Sequence, residues 1–248
     1  MEVSGSIVDL LHFVHGLSFD EISTMFSSGL SDYEGRIATT RKEEEDTDNT
    51  KIVKEELKKY PNFDLSPPSN YLSLRGISIE AMRYFDIGAS EDTMVLPLYR
   101  RRQGKWVAQT SIKYMISHDG RVRYFQKGLQ RRGSYSILKE KDRPLKGYTK
   151  ALLFESPIDA LSYFQLFGVE GLYVSTCGNL TNELISSLPL DLKNIGIKKT
   201  TIAFDNDDAG DRMTKKISRA LEDSGLEVEV EKPKEKDWND AIMISKKY

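Results

Sequence analysis

Cysteine is almost absent from the sequence, since Cys177 is the only one among 248 residues. A single thiol cannot form an internal disulfide, and it cannot build a zinc site that needs several cysteines. The chain also has no apolar run close to the roughly 20 residues that a transmembrane helix requires, and its first residues lack the pattern of a signal peptide. We therefore expect a cytoplasmic protein that does not associate with a membrane.

Net charge is small as well, at −2, so the whole-chain value says nothing about partners. Its distribution is informative, because 15 basic and only 3 acidic residues lie between Met94 and Lys150. Such a stretch is typical of a surface that binds a phosphate backbone, although a solvated face of the protein is the alternative interpretation. The candidate nucleic-acid-binding residues are Arg100, Arg101, Arg102, Lys113, Arg121, Arg123, Lys127, Arg131 and Arg132.

The pattern of the sequence divides the chain into four segments. Residues 1–26 show the apolar spacing of two short helices, whereas residues 27–69 have too little apolar material to bury and predict a partly disordered polar linker. Residues 70–150 contain a helical stretch and short strands separated by turn signals, as in a small α+β lobe with an antiparallel meander. Residues 151–248 alternate strands with helices, which predicts a parallel sheet with right-handed crossovers.

The elements of the last segment are marked clearly in the sequence. Ser156 is placed to cap a helix that starts at Pro157 and stops before Gly168. The remaining predicted helices are 181–188 and 208–223, and the predicted strands are 151–154, 171–174, 200–204 and 227–230.

Acidic residues follow several of these predicted strands. Glu155 comes directly after the first strand, and Asp205 and Asp207 come after the third. Because ligands of open α/β sheets gather at the carboxyl ends of the strands, we expect these side chains to lie together. Two further acids, Asp237 and Asp240, follow the fourth strand, and Asp159 lies one helical turn past Glu155.

Several carboxylates in one small site need a cation, because neighbouring like charges disfavour ionisation. An oxygen-only set suits Mg²⁺ or Mn²⁺, and such ions reach substrates through phosphate groups. The chemistry implied is phosphoryl transfer or phosphodiester cleavage. The plainer interpretation is that these acids only cap helices and fill polar turns.

The motifs Glu155-Ser-Pro-Ile-Asp159 and Asp205-Asn-Asp207-Asp-Ala-Gly210 resemble the TOPRIM domain of bacterial-type DNA primases, topoisomerases and some nucleases. The resemblance implies that Glu155, Asp205 and Asp207 are catalytic metal ligands, that Asp159, Asp237 and Asp240 complete the metal site, and that Gly178 and Gly210 have structural roles. Ser156 replaces the family's usual glycine, and Lys-Asp-Trp-Asn-Asp at 236–240 is similar to a motif of phage and plasmid primases.

Weaker similarity extends upstream of the TOPRIM segment. Residues 71–77 and 95–98 resemble the N-terminal lobe of the primase polymerase core, which in that family guides a single-stranded template. Residues 5–22 resemble the tail of a primase zinc-binding domain without its cysteines, so either the chain begins inside that domain or its lineage has lost the zinc site. An ordinary amphipathic helical hairpin is the alternative.

The expected fold is therefore α/β, a TOPRIM domain whose parallel sheet is flanked by helices, preceded by a small α+β basic lobe and an N-terminal helical segment. The expected activity is primer synthesis by a DNA primase-type nucleotidyltransferase of a mobile element or phage, with Mg²⁺ or Mn²⁺. Expected partners are single-stranded DNA, nucleoside triphosphates and a replicative helicase or relaxase. The alternatives are a TOPRIM nuclease, in which Glu155 activates water, and a non-catalytic nucleic-acid-binding protein.

Overall fold

The computed structural model describes residues 49–60, 70–85, 87–90, 92–102, 104–117, 120–126, 129, 131–178 and 180–245, a few of them by backbone alone. All of them belong to one compact unit. The helices predicted within residues 1–26, and most of the predicted linker, lie outside the described residues.

Seven α-helices and nine strands occur within the described ranges. The helices are α1 Thr50–Leu57, α2 Asn70–Leu74, α3 Ile79–Tyr84, α4 Pro157–Phe167, α5 Asn182–Ile195, α6 Asp208–Asp223 and α7 Trp238–Ser245. The strands are β1 Gly88–Ser90, β2 Thr93–Arg102, β3 Lys105–Ser117, β4 Gly120–Phe125, β5 Tyr135–Leu138, β6 Lys150–Phe154, β7 Leu172–Ser175, β8 Lys199–Ile202 and β9 Glu227–Val230. None of the helices in this part of the chain has the length and apolar character needed to cross a bilayer.

One continuous sheet runs through both the predicted lobe and the predicted TOPRIM segment. Its strand order is β4-β3-β2-β5-β7-β6-β8-β9, with β1 beside β2. Strands β2, β3 and β4 form the expected antiparallel meander, and β6, β7, β8 and β9 form the expected parallel sheet. Strand β5, which the sequence pattern did not predict, joins them, because Ser136 is paired with Leu98 on one side and Ser175 on the other.

Two apolar cores lie on opposite faces of the sheet. Successive residues of β6 alternate between them, with Leu152 and Phe154 in one core and Ala151 and Leu153 in the other. The first core also receives buried residues from α2, α3, α4 and α7, and the second from α5 and α6. Helices therefore cover both faces, as parallel sheets require.

Helix boundaries follow the local sequence signals closely in α4. The Ser156 hydroxyl accepts a hydrogen bond from the Asp159 N–H at 3.2 Å, and Gly168 ends the helix in the left-handed conformation, with φ of 59°. Helix α5 is longer than predicted, because it continues through Pro189 to Ile195. Burial of Leu192 and Ile195 in the second core accounts for the extra turns.

The prediction of a polar linker is wrong for residues 50–57, which form α1 against β3. Few apolar residues hold this helix, and hydrogen bonds to the sheet replace them. The Asn49 amide donates to the Gln109 carbonyl at 3.1 Å, and the Thr50 hydroxyl accepts from the Ala108 N–H at 3.1 Å. Composition could not reveal this anchor, because its partners lie about 60 residues away in the sequence.

Replacement of Val53 by alanine tests whether α1 belongs to the folded unit. Val53 is fully buried, whereas its neighbour Ile52 is 51% exposed. We expect Val53→Ala to lower the free energy of unfolding by about 1–2 kcal/mol, because two buried methyl groups are lost. The measurement is urea denaturation. An Ile52→Ala control should change stability by less than about 0.5 kcal/mol, and equal small effects would contradict the packing of α1.

Candidate functional site

The carboxyl edge of the parallel strands gathers the acidic residues that the sequence singled out. Strand β6 is paired in register with β7 and β8, so the residues that follow these strands emerge side by side. Glu155 follows β6, residues 176–178 follow β7, and Asp205 and Asp207 lie shortly after β8. Glu155 and Asp205 are half-buried, and Asp207 is exposed.

Glu155 connects the loops on either side of its own strand. Its carboxylate Oε1 accepts a hydrogen bond from the Asp205 N–H at 3.2 Å, and its carbonyl accepts one from the Gly178 N–H at 3.0 Å. The three loops of the carboxyl edge are therefore fixed relative to one another through one residue.

Asp207 caps helix α6. Its Oδ1 atom accepts hydrogen bonds from the N–H groups of Ala209 at 2.9 Å and Gly210 at 2.8 Å. Gly210 lies very close to the Asp205 backbone, since a Cβ atom there would be 2.1 Å from the Asp205 carbonyl oxygen and 3.1 Å from Glu155 Oε1. Glycine is thus the residue that lets α6 start against the acidic loops.

Asp159 is buried and joins three helices. Its Oδ1 atom accepts a hydrogen bond from the Asn239 N–H at 3.2 Å, and its Oδ2 atom accepts one from the Ser156 hydroxyl. The Asn239 side chain in turn donates to the Arg75 carbonyl at 2.7 Å. These contacts connect α4 to α7 and to the end of α2. Asp159 therefore positions the helices that support the carboxyl edge.

The segment that carries Asp237 and Asp240 is held beside the β8 loop. The Asn206 N–H donates to the Lys236 carbonyl at 2.7 Å. Asp237 then caps α7, because its Oδ1 atom accepts a hydrogen bond from the Asp240 N–H at 2.6 Å. The indole of Trp238 donates to the Ala203 carbonyl at 2.9 Å and anchors the start of α7 under β8.

Electrostatic strain is concentrated at Asp205. Burial, followed by the charges of Asp159, Glu155, Asp237 and Asp207, raises the pKa of its carboxyl to about 8. Burial likewise raises the pKa of Asp159 to about 6 and shifts the pKa of Glu155 upward. The Oδ1 atom of Asp205 is buried without a hydrogen-bond partner. A cation beside Asp205 would satisfy this atom and relieve the repulsion.

The donor set fits a hard cation that is held only partly by protein. No three carboxylate, imidazole or thiolate groups within the described ranges converge to hold an ion on their own. Glu155 and Asp207 are instead turned onto backbone N–H groups. Mg²⁺ commonly takes one or two carboxylates and completes its shell with water and phosphate oxygens. Asp205 with Glu155 or Asp207 is the pair that would supply them.

Arg123 is the predicted nucleic-acid-binding residue whose contacts reach the carboxyl edge directly. A Cβ atom on Gly178 would be 3.3 Å from Nη1 of Arg123, so the absent side chain leaves room for the guanidinium. Gly178 has φ of 70° and is bonded to Glu155. The structure thus brings a cation of the basic lobe to the acidic loops.

The other predicted basic residues have varied surroundings. Arg100 and Arg132 form ion pairs with Glu183, Lys113 forms one with Glu56, and Arg131 stacks over the Phe125 ring. Arg101 donates to the Gly104 carbonyl and Arg102 to the Gln109 side chain. The side chains of Arg121 and Lys127 lie outside the described part of the structure.

One feature of the edge was not predicted from the sequence. Lys232 lies with its Nζ atom 3.4 Å from the Asp205 carbonyl and pairs with Asp211 on α6. The signal available was only that lysine alternates with other residues at 232, 234 and 236. The buried Cys177, whose thiol pKa is raised by burial, packs in the first core and is unsuited to be a nucleophile.

A cavity of about 500 Å³ lies elsewhere, between α1, β2 and the segment after β5, and none of the acidic candidates lines it. Since β5 is antiparallel to β7, the end of β5 points away from the carboxyl edge. The acidic residues therefore lie at the carboxyl edge and not in this cavity.

A sequence model of the Toprim-like family matches residues 152–242. The chain contains a Toprim-like domain. The matched region includes Glu155, Asp205 and Asp207, and the family resemblance seen in the sequence is confirmed. No curated protein sequence matches the chain significantly.

Solved primase structures are similar to this chain in fold. The zinc-binding and RNA polymerase domains of the Aquifex aeolicus primase match with a TM-score of 0.50 and 17% identity, over 97% of this chain and 67% of that chain. The primase fragment of the bacteriophage T7 primase-helicase protein gives a TM-score of 0.49 and 17% identity, over 70% of this chain and 69% of that chain. The predicted α/β fold class is confirmed.

Gly210→Ala tests the close approach of α6 to the acidic loops. The new methyl group would overlap the Asp205 carbonyl, so the backbone must shift and we expect a loss of about 2–3 kcal/mol in the free energy of unfolding. The matched control is Gly168→Ala, where φ is 59° but no atom lies within 4 Å. This control should lower the free energy of unfolding by only about 1 kcal/mol, because alanine is strained in the left-handed conformation. Equal losses in chemical denaturation would argue against the contact.

The raised pKa of Asp205 predicts a pH dependence of stability. In the unfolded chain an aspartate ionises near pH ~3.9, whereas in the Toprim-like domain the pKa is about 8. The folded state is therefore penalised as pH rises between these values, and the metal-free protein should lose stability toward alkaline pH. In EDTA, the melting temperature of Asp205→Asn should fall less between about pH 6 and about pH 9 than that of the original protein. An equally steep loss would mean that charge crowding at Asp205 is not responsible.

Proposed function

We propose that the protein is a metal-dependent nucleotidyltransferase of the DNA primase type, which synthesises primers on single-stranded DNA. One observation carries the proposal, namely that the carboxylates of Glu155 and Asp205 lie at the same sheet edge as the Arg123 guanidinium. Phosphoryl transfer along a nucleic-acid template needs both, an anionic set for metal ions and a cationic surface for phosphates.

The roles we propose follow from the contacts at the edge. Asp205 and Glu155 would hold the ion, and Asp207 would join them by turning away from the N-terminus of α6. Bound Mg²⁺ or Mn²⁺ would neutralise the triphosphate and favour the attacking 3′-oxygen. Asp159, Asp237 and Asp240 would act indirectly, by positioning α4, α7 and the loop after β8.

The basic lobe would hold the template. Arg123 would contact a phosphate next to the carboxylates, and the remaining candidate arginines and lysines would contact the template farther from them. Because β5 is hydrogen-bonded to both halves of the sheet, the template surface would be fixed relative to the acidic edge. Such fixed positioning is what phosphoryl transfer demands of the protein.

Partners and origin belong to the same proposal. The similarity of residues 236–240 to a motif of phage and plasmid primases supports a mobile element or phage as the source. A replicative helicase or a relaxase would then deliver the single-stranded template, and nucleoside triphosphates would be the second substrate. The cytoplasm is the compartment we propose for this reaction.

A nuclease is the second candidate. Burial shifts the pKa of Glu155 upward, toward the range in which a carboxylate is an efficient general base near neutral pH. Glu155 would then accept a proton from a water molecule that attacks a phosphodiester. The same residues would hold the metal, so geometry alone does not separate synthesis from cleavage.

Incubation with circular single-stranded DNA, labelled nucleoside triphosphates and Mg²⁺ or Mn²⁺ tests the proposal on a denaturing gel. We expect new labelled oligonucleotides, and we expect the double variant Asp205→Asn with Asp207→Asn to make at least about a hundredfold less, as when an essential electrostatic group is lost. Linearised circles without synthesis would favour the nuclease.

A matched control keeps the double variant interpretable. The control variant, Asp208→Asn with Asp223→Asn, removes as many carboxylates as the double variant does. Both of its positions are exposed and lie on α6, with Asp223 at the far end of the helix. It should retain synthesis. If the Asp205 and Asp207 variant were as active as this control, the assignment of the site would be wrong.

A further inference from the structure

Glu183 lies between two arginines of the basic lobe. It occupies the first turn of α5, where its Oε1 atom is 2.6 Å from Nη2 of Arg100 and its Oε2 atom is 2.9 Å from Nε of Arg132. Each carboxylate oxygen thus has its own guanidinium. The three side chains remain partly exposed, at 28% for Glu183, 31% for Arg100 and 65% for Arg132.

The backbone next to Arg132 is shaped around this carboxylate. Gly133 has φ of 67°, and a Cβ atom there would lie 3.0 Å from Cδ of Glu183. The turn that contains Gly133 is closed by a hydrogen bond from the Ser134 N–H to the Arg131 carbonyl at 3.0 Å. A small anion at this position therefore contacts two guanidinium groups, and Gly133 has no side chain that would obstruct it.

The arrangement is one that a phosphate group could also satisfy. Guanidinium groups bind carboxylates and phosphates with the same planar donor geometry. Ion pairs with this much exposure stabilise a protein little, about 0–1 kcal/mol. Exchange of the carboxylate for a phosphate would therefore cost the fold little.

Other contacts already attach the lobe to α5. The Tyr135 hydroxyl on β5 donates to Asp191 Oδ2 at 3.0 Å, and Trp106 packs edge-on against the Tyr135 ring. Both Tyr135 and Asp191 are buried. Because this contact also joins the basic lobe to α5, Glu183 is not needed as a clamp.

We propose that Arg100 and Arg132 form a binding site for a backbone phosphate of single-stranded nucleic acid, and that Glu183 occupies this site in the free protein. The site is close to the acidic edge along the chain, since α5 begins four residues after Gly178. A bound strand displaces the carboxylate, and Glu183 lowers the affinity for every strand by competing for the two arginines. The inference rests on the nucleic-acid binding in the proposed function and adds a residue that regulates it.

The test compares the variant Glu183→Gln with the control Glu170→Gln. Glu170 pairs with Arg143 beyond the C-terminus of α4, so the control removes the same charge and breaks a similar pair away from the carboxyl edge. Binding of a fluorescent oligothymidylate is measured in EDTA over a range of salt concentrations. Glu183→Gln should tighten binding about three- to tenfold relative to the control, because the carboxylate no longer competes with the phosphate for the two arginines.

Adding Arg132→Gln separates a specific site from a general effect of charge. On the Glu183→Gln background it should abolish most of the gain, whereas in the original protein it should weaken binding much less, because Arg132 is occupied. Equal factors on both backgrounds would overturn the proposal. So would unchanged or weaker binding by Glu183→Gln with a lower melting temperature, which would make Glu183 a structural clamp.

The outcomes also separate this inference from the proposed function. Tighter binding by Glu183→Gln in a protein that makes no primers would retain the phosphate site and reject primer synthesis. Primer synthesis with unchanged binding in the variant would reject the phosphate site alone. Absence of binding by both proteins at low salt would reject both.

Discussion

Glu155 uses its carbonyl and its carboxylate to hold two different loops, those after β7 and β8. The geometry of the whole carboxyl edge depends on these two hydrogen bonds, because one positions the Asp205 backbone and the other positions Gly178. They also place the acidic loops against the basic lobe, since Arg123 packs over Gly178. A glutamate that serves the architecture in this way is only partly available to a metal ion. Under the proposed function, an ion at the edge would be held by the remaining lone pairs of the Glu155 carboxylate, by Asp205 and by substrate oxygens.

The fold maintains this edge at an electrostatic cost. Asp205 keeps an unpartnered buried oxygen while the charges of four neighbouring acids act on it. Stabilising contacts elsewhere in the fold must compensate for this cost. The hydrogen bonds of Trp238 with Ala203 and of Asn239 with Asp159 are suited to that role. They attach α7 beneath the β8 loop and behind α4. Under the proposed function, a bound cation would relieve the repulsion at Asp205, and this relief would add to the affinity of the site for the ion.

The Toprim-like half was predictable because its signals are local. Ser156, Pro157 and Gly168 mark α4 within a dozen residues, and acids directly after strands need only the general geometry of parallel sheets. The rest depended on partners far apart in sequence. Helix α1 is held by Gln109 and Ala108, and β5 exists through its pairing with β2 and β7. The pairing of Glu183 with Arg100 likewise could not be read from composition, which counts charges but does not show which ones meet.

The continuous sheet limits how the protein can respond to a substrate. Ser136 is paired with neighbours on both sides, so the basic lobe cannot rotate against the Toprim-like domain without breaking ladder hydrogen bonds. Within the described sheet, rearrangement is therefore left to side chains. Three carboxylates at or near the carboxyl edge make bonds that can exchange. Glu155 and Asp207 bond to backbone N–H groups, and Glu183 bonds to arginines. Under the proposed function, a cation would replace the N–H partners of Glu155 and Asp207, and a phosphate would replace Glu183 beside its arginines. Substrate binding would then exchange internal contacts without a closure of domains.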